Sequence, residues 1–222
     1  MTICEVRNLG RIGYGEAYQL QRELVEQRKR GLIPHQLLIV EHPHVLTLGR
    51  NGRMENLLVS RDYLKQRGVE FHETDRGGDI TYHGPGQIVG YPIFDLREWK
   101  RDVVAYVRGL EQVLIQALAE FGIESGRIAG ATGVWVEDRK IAAIGVHISR
   151  WVTSHGFALN VTTDLSFFRL IVPCGLTKPV TSMAAEGVNA DREGVVAAIT
   201  RQFANVFEVE MTQAELTTEK AQ

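Results

Sequence analysis

The stretch RGGDITYHGPGQ, residues 76–87, decides how the rest of this chain is read. It holds four glycines (Gly77, Gly78, Gly84, Gly86), one proline, and five side chains that carry charge or form hydrogen bonds: Arg76, Asp79, Thr81, His83 and Gln87. A plain turn needs one or two residues with special backbone freedom, so a segment this long and this polar suits backbone brought close to a ligand. On these residues alone a glycine-rich hairpin stays open as the alternative. The flanks are extended in pattern. Residues 69–74 alternate, and residues 88–94 (IVGYPIF) resume strand character, with Pro92 pointing to an edge or a strand end. The expectation is a glycine-rich segment that joins two strands and forms the floor of a binding site.

Outward from that segment, helical and extended patterns alternate. Residues 16–30 carry Ala17, Leu20, Leu24 and Val25 as one apolar stripe, with Gly31 as the stop. Residues 36–41 (QLLIVE) and 45–48 read as strands about the break His42-Pro43-His44. Ser60 caps a short helix that ends at Gly68. Val103, Val107, Leu110, Leu114, Ala117, Leu118 and Phe121 repeat at three- and four-residue intervals behind Asp102, the clearest helix of the chain. Residues 132–137 and 139–146 form a hairpin about Glu137-Asp138, and residues 151–160 a further strand. Val195, Val196, Ile199, Phe203 and Val206 mark a last helix, and the polar tail after Glu210 is expected to fray. No internal repeat or linker divides the chain. The fold class is therefore α+β, a mixed β-sheet flanked by helices in a single domain over residues 1–222, with room for a small C-terminal subdomain from about residue 191.

The composition excludes several classes. With 222 residues, 44% hydrophobic and 23% charged, and a formal charge of −2, the chain reads as soluble and globular, with no bulk charge for nucleic acid or membrane binding. It has no apolar run long enough for a membrane helix and no signal peptide, so a cytoplasmic location is expected. Two cysteines, Cys4 and Cys174, suit a reducing compartment and matter only as thiols. Basic residues cluster at 22–30 and 50–67. They form either solvated faces or a docking surface for an acidic protein.

Cys174 sits between Pro173 and Gly175 in a loop rather than in an apolar stripe, which raises the case for a functional thiol. Lys140 opens the strand KIAAIGV. A lysine partly withdrawn from water favours its neutral amine, which can take the proton of a thiol. The two together would make a Cys/Lys dyad for acyl transfer, against the plain alternative of a solvated lysine at a hairpin turn. The histidines of the HPH break lack an accompanying ligand cluster, so no metal is expected. Neither a G-x-S-x-G elbow nor a P-loop or dinucleotide fingerprint occurs, and no cofactor is expected.

RGGDITYHGPGQ at 76–87, GVWVEDRKIAAIGVHISRWVTSHGFALNV at 133–161, IVPCGL at 171–176 and HPHVLTLGR at 42–50 together resemble the signature blocks of the octanoyltransferases of lipoate biosynthesis, the lipoate-protein ligase B family. The resemblance implies a biotin/lipoate protein ligase-like fold. It implies an acyltransferase that moves octanoyl from octanoyl-acyl carrier protein, through a thioester on Cys174, to a specific lysine of lipoyl domains. Those acceptors would be lipoyl domains of 2-oxoacid dehydrogenase complexes and the glycine-cleavage H protein. Lys140 matches the residue that lowers the cysteine pKa. Arg76, Gly77, Gly78, Asp79, Ile80, Thr81, Tyr82 and His83 match the substrate-binding loop, as do Ala143, Ile144 and Gly145 with Gly156, Phe157 and Ala158. The alternatives are an ATP-dependent lipoate or biotin ligase, a thioesterase, and a non-catalytic module that binds acyl carrier protein. In the transferase reading the backbone N–H groups of Gly77, Gly78 or Gly175 would hold the oxyanion, and Gly77, Gly78, Gly145 and Gly156 would leave room for the eight-carbon chain.

Overall fold

The computed structural model describes residues 2–172 and 178–214. In chain order the elements are β1 (Thr2–Arg11), α1 (Tyr14–Lys29), β2 (His35–Glu41), β3 (Val45–Leu48), α2 (Arg61–Gln66), β4 (Glu70–Glu73), β5 (Ile80–His83) and β6 (Gln87–Ile93). There follow α3 (Val103–Ala119), β7 (Gly126–Ile128), β8 (Ala131–Val136), β9 (Arg139–Ser149), β10 (Val152–Asn160), α4 (Arg192–Phe207) and β11 (Val209–Gln213).

Local chemistry fixes the helix ends. Asp102 accepts from the N–H groups of Val104 (2.8 Å) and Ala105 (3.0 Å), satisfying two of the donors that open α3. Ser60 caps α2 through Tyr63 (3.1 Å) and Asp191 caps α4 through Gly194 (2.6 Å). Gly31 and Gly122 leave α1 and α3 at φ of 70° and 76°, a conformation glycine adopts without a Cβ penalty.

The strands form two sheets. The larger runs β11-β1-β2-β6-β10-β9-β8-β7, with β1 parallel to both neighbours and antiparallel pairing from β2 onward. The smaller runs β4-β3-β5. One face of the large sheet packs on α3 and α4 through Phe94, Tyr106, Phe203 and Phe207, all at most 1% exposed. Burial of this kind stabilises by roughly 1.5–3 kcal/mol per large apolar side chain. The other face carries α1 over Leu38, Val89, Tyr91 and Ala158, and the small sheet has its own cluster around Leu46, Ile80 and Phe168.

Two expectations are corrected and a third holds in part. The glycine-rich stretch is not merely a connection, because residues 80–83 are themselves strand β5 of the small sheet. Residues 209–213 do not fray: they pair in parallel with β1, a strand the sequence did not signal because its polar residues alternate weakly. Pro92, expected at an edge or a strand end, stands one residue before the end of β6, and that strand is central, between β2 and β10. The proline is accommodated because the β6–β10 ladder stops at the Phe157–Gly90 pair, where a missing N–H costs nothing. Beyond it the Thr153 hydroxyl takes over, donating to Pro92 O (2.7 Å) and accepting from Phe94 N (2.9 Å).

Candidate active site

A cavity of about 570 Å³ lies over strands β9, β10 and β6. Its half-exposed side is β9, at Lys140 and from Ala143 through Val146, and its inner side is buried on β10 and β6. Arg76, Gly77, Gly78, Asp79, Thr81 and His83 line one wall. Lys140, Ala143, Ile144 and Gly145 line the β9 wall, and Gly156, Phe157 and Ala158 the β10 wall. Ile80 and Tyr82 are not brought to it. The two-residue period of β5 turns both into the core of the small sheet, where the Tyr82 hydroxyl shares a 2.8 Å hydrogen bond with His44 Nδ1. Cys174 and Gly175 lie outside the described residues.

The loop before β5 is held as a rigid wall. The Arg76 guanidinium is buried, donating from Nη2 to Thr47 O (2.6 Å) and Thr47 Oγ1 (2.9 Å) and from Nη1 to Gly77 O (3.1 Å). The backbone N–H groups of Arg50 and Asn51 donate to the carbonyls of Arg76 (2.9 Å) and Gly78 (3.2 Å). Gly77 N–H donates to Val146 O of β9 (2.9 Å), so this N–H is committed to the scaffold rather than to an oxyanion. The glycines also serve differently from expectation. A Cβ on Gly145 would stand 2.8 Å from Gly77 O, and one on Gly156 would stand 2.2 Å from Gly90 O. The space they leave is filled by protein backbone, so these two glycines let the loop and strands close up rather than make room for an acyl chain.

The residues on each side of segment 173–177 are tied to two walls of this cavity, the 76–79 loop and β9. Val172 N–H donates to Asn56 O (2.8 Å), and the Asn56 amide donates to Asp79 Oδ2. Asp79 Oδ1 accepts from Ile80 N (2.7 Å) and Arg53 N (3.2 Å). On the far side Lys140 N–H donates to Pro179 O and Thr181 N–H to Lys140 O, both at 2.9 Å. The Lys140 and Lys178 ammonium groups lie 4.7 Å and 5.4 Å from the centroid of the same Trp135 ring.

Several residues of the site were not read from the sequence. Tyr14, Tyr91 and His155 line the cavity, and Asn160 is buried in a polar chain with Gln87, which the 76–87 stretch had already marked. His155 sits in left-handed backbone (φ 55°) and its ring meets Asp75 Oδ1 at 2.8 Å, beside the Tyr18 hydroxyl at 2.9 Å. The hydrogen bond to His155 holds the Asp75 carboxyl well below the usual carboxylate range. Burial lowers the His83 pKa to about 3, so its ring is neutral. The available signal was polar residues inside apolar strand patterns. The HPH histidines do shape the region beside the site: His42 bridges Ile12 O (2.9 Å) and the Tyr91 hydroxyl (2.7 Å), and His44 stacks on Phe167. Arg28 leaves the set of candidate docking residues. It is 5% exposed and pairs with Glu98 and His35, whereas Arg50 and Arg53 are exposed next to the 76–79 loop.

Comparison with solved structures defines the class of fold. The chain resembles a bi-partite lipoate protein ligase of Thermoplasma acidophilum at TM-score 0.78 and 16% identity, over 96% of this chain and 87% of that one. It resembles biotin protein ligase from Aquifex aeolicus at TM-score 0.58 and 13% identity, over 92% and 70% of the two chains. The fold is thus the mixed-sheet α+β fold of biotin and lipoate ligases. Residues 13–204 match the family model described as the lipoyl protein ligase A/B catalytic domain. An octanoyltransferase of Solibacter usitatus is 63% identical over 211 residues, 95% of this chain and 96% of its own length. One of Acidobacterium capsulatum is 53% identical over 222 residues, 92% and 90% of the two. The chain belongs to the lipoyl protein ligase A/B family, and within it to the octanoyltransferase enzymes. No helix among the described residues is long and apolar enough to cross a membrane.

Proposed function

We propose that this enzyme takes octanoyl from octanoyl-acyl carrier protein, holds it as a thioester on Cys174, and passes it to a lysine of a lipoyl domain. The chain acts as one catalytic domain, in the cytoplasm, with lipoyl domains of 2-oxoacid dehydrogenase complexes and the glycine-cleavage H protein as acceptors. The observation that carries this reading is the tethering of residues on both sides of Cys174 to two walls of one cavity. Residues 179–181 exchange backbone hydrogen bonds with Lys140, and Val172 reaches Asp79 of the loop through Asn56.

In the first half-reaction the Lys140 amine accepts the Cys174 proton and the thiolate attacks the thioester carbonyl. The tetrahedral adduct collapses, the carbon–sulfur bond to the carrier breaks, and the Lys140 ammonium protonates the departing carrier thiolate. In the second, the neutral acceptor amine attacks the enzyme thioester and a carbon–nitrogen bond forms. The carbon–sulfur bond to Cys174 breaks and the amine proton returns to sulfur by way of Lys140. The donor thioester is already activated, so ATP has no part. Burial of the acyl chain contributes about 0.8 kcal/mol per methylene to binding.

The test is an ATP-free assay with octanoyl-carrier protein and a lipoyl domain. The wild type should octanoylate the acceptor, and Cys174→Ser and Lys140→Ala should each lose about 10³-fold or more, as for groups that act as one unit. Transfer that requires free octanoate and ATP, and that survives Cys174→Ser, would instead establish a ligase. Release of octanoate with no lipoyl domain present would indicate a thioesterase.

A further inference from the structure

The side chain of Lys140 meets two residues of β8 that the acyl-transfer steps do not use. Trp135 stands opposite Lys140 in the β8–β9 ladder, is 2% exposed, and is held by donating from Nε1 to Ala131 O (3.3 Å). Gly133, two residues earlier, has a φ of 125°, and a Cβ there would stand 3.4 Å from Lys140 Cε and 3.6 Å from Lys140 Cδ. The lysine stem therefore passes Gly133, and its ammonium lies 4.7 Å from the centroid of the indole.

A second cation reaches the same ring. The Lys178 ammonium is 5.4 Å from the Trp135 centroid. Its backbone is brought there by pairing with β9, since Lys140 N–H donates to Pro179 O and Thr181 N–H to Lys140 O, both at 2.9 Å, with Val180 as the bridge partner of Lys140. Two ammonium groups this near one centroid stand at most about 10 Å apart, close to the screening length of physiological salt. The ring they share is buried, which weakens screening further. An indole attracts each cation, but the two like charges repel, and the repulsion is relieved when one site gives up a proton.

The other charged and titratable groups about Lys140 are engaged elsewhere. Asp79, on the loop wall, accepts from the N–H groups of Ile80 and Arg53 and from the Asn56 amide. Glu111 of α3 sits behind Gly133, accepting from its N–H (3.1 Å) and from Arg108 (2.7 Å) and Arg127 (2.9 Å). Arg139, next to Lys140 on β9, pairs with Glu137 and Glu186. Arg76 is buried against Thr47, and the ring of His83 is neutral. His155, bonded to Asp75, stands opposite Val146, six residues along β9 from Lys140.

We propose that Lys178 is a positioning residue for the dyad: sharing Trp135 with Lys140, its charge keeps Cys174 and Lys140 from holding two protons between them. The pair is active with one proton, as thiol and amine or as thiolate and ammonium. The inactive form, thiol and ammonium, carries a net positive charge, and a neighbouring cation disfavours it whichever group holds the last proton. The surplus proton goes to solvent before the carrier thioester is attacked. This inference rests on the acyl-transfer reading above.

The experiment follows alkylation of Cys174 by iodoacetamide as a function of pH, with no carrier protein present, in the wild type, Lys140→Met, Lys178→Met and Lys178→Arg. Cys4 is fully buried, and peptide digestion assigns the adduct. Lys178→Met should move the midpoint of the pH–rate curve up by about 0.5–1 pH unit, a three- to tenfold loss of rate on its acidic side with the alkaline plateau little changed. Lys178→Arg, which keeps the charge, should hold the wild-type midpoint. Lys178 is half-exposed, so neither change at this position opens the core, and a thermal melt of each variant checks this. Lys140→Met should raise the midpoint to that of an ordinary thiol, about 8.5 or above. A midpoint that moves in Lys140→Met and stays in place in Lys178→Met overturns this inference alone, as does an equal shift in Lys178→Met and Lys178→Arg. A midpoint unmoved by Lys140→Met would sink the dyad and this inference with it.

Discussion

Gly145→Ala probes whether the 76–79 loop must lie in contact with β9. The residue pairs with Gly156 in the β9–β10 ladder and does not have positive φ, so the substitution adds steric conflict without backbone strain. The new Cβ would stand 2.8 Å from Gly77 O and 3.4 Å from Arg76 Cδ. Ordinary contact begins near 3.5 Å, so the carbonyl must retreat by roughly 0.7 Å. It cannot move alone, because Gly77 N–H is bound to Val146 O and the neighbouring carbonyls of Arg76 and Gly78 are held by Arg50 and Asn51. Overpacking of this kind costs about 1–3 kcal/mol, and a chain of this size loses about 2–4 °C in Tm per kcal/mol. Displacing this cavity wall by a fraction of an ångström should lower kcat/KM by about 10- to 100-fold. Thermal melting and the ATP-free transfer assay read the two effects, with Gly126→Ala as the control, since a Cβ there meets nothing within 4 Å. A Gly145→Ala enzyme with wild-type Tm and wild-type kcat/KM would refute the reasoning.

Three further outcomes are expected. His35 and His83 are pushed by burial to pKa values of about 3, against about 6.5 in an unfolded chain. The unfolded state therefore binds more protons between pH 3 and 6.5, so stability is full above pH 6.5 and falls toward pH 3 by up to about 1.4 kcal/mol per pH unit per histidine. Urea unfolding at pH 7 and pH 5 should show that loss, smaller in His83→Gln; a flat profile would contradict it. Asp75, with its depressed pKa, adds stability above the ordinary carboxylate range that disappears at still lower pH. Arg76→Met leaves Thr47 O and Gly77 O without their charged donor, and should cost about 1.5–3 kcal/mol in unfolding free energy together with most of the activity. Arg50→Glu should raise the carrier-protein KM in a salt-dependent way with kcat little changed, whereas Arg28→Glu should show as lost stability in a melt, because Arg28 is buried against Glu98 and His35.

What the sequence made legible was local. The α3 stripe behind Asp102, the Ser60 cap and the β8–β9 turn at Glu137 all follow from side-chain spacing and backbone preference, which neighbouring residues set. The signature blocks pointed to the lining residues on loop 76–79, β9 and β10. Features that depend on distant partners were hidden. β11 exists because β1 offers it an edge, Pro92 is tolerated because Thr153 fills the gap in the ladder, and Gly145 is small because Gly77 O occupies its place. Tyr14 and His155 reached the site from α1 and from a strained position in β10, where no local pattern marks them. The alternation of β5 also divides the 76–83 segment, with Thr81 and His83 facing the cavity and Ile80 and Tyr82 facing the core.

The most direct test of the account is the mass of the intact protein after mixing with octanoyl-acyl carrier protein and no acceptor. The account predicts one added octanoyl group, mapped by peptide digestion to Cys174, discharged on addition of a lipoyl domain, and absent in Cys174→Ser. A wild-type protein that stays unmodified while still octanoylating the lipoyl domain would contradict it.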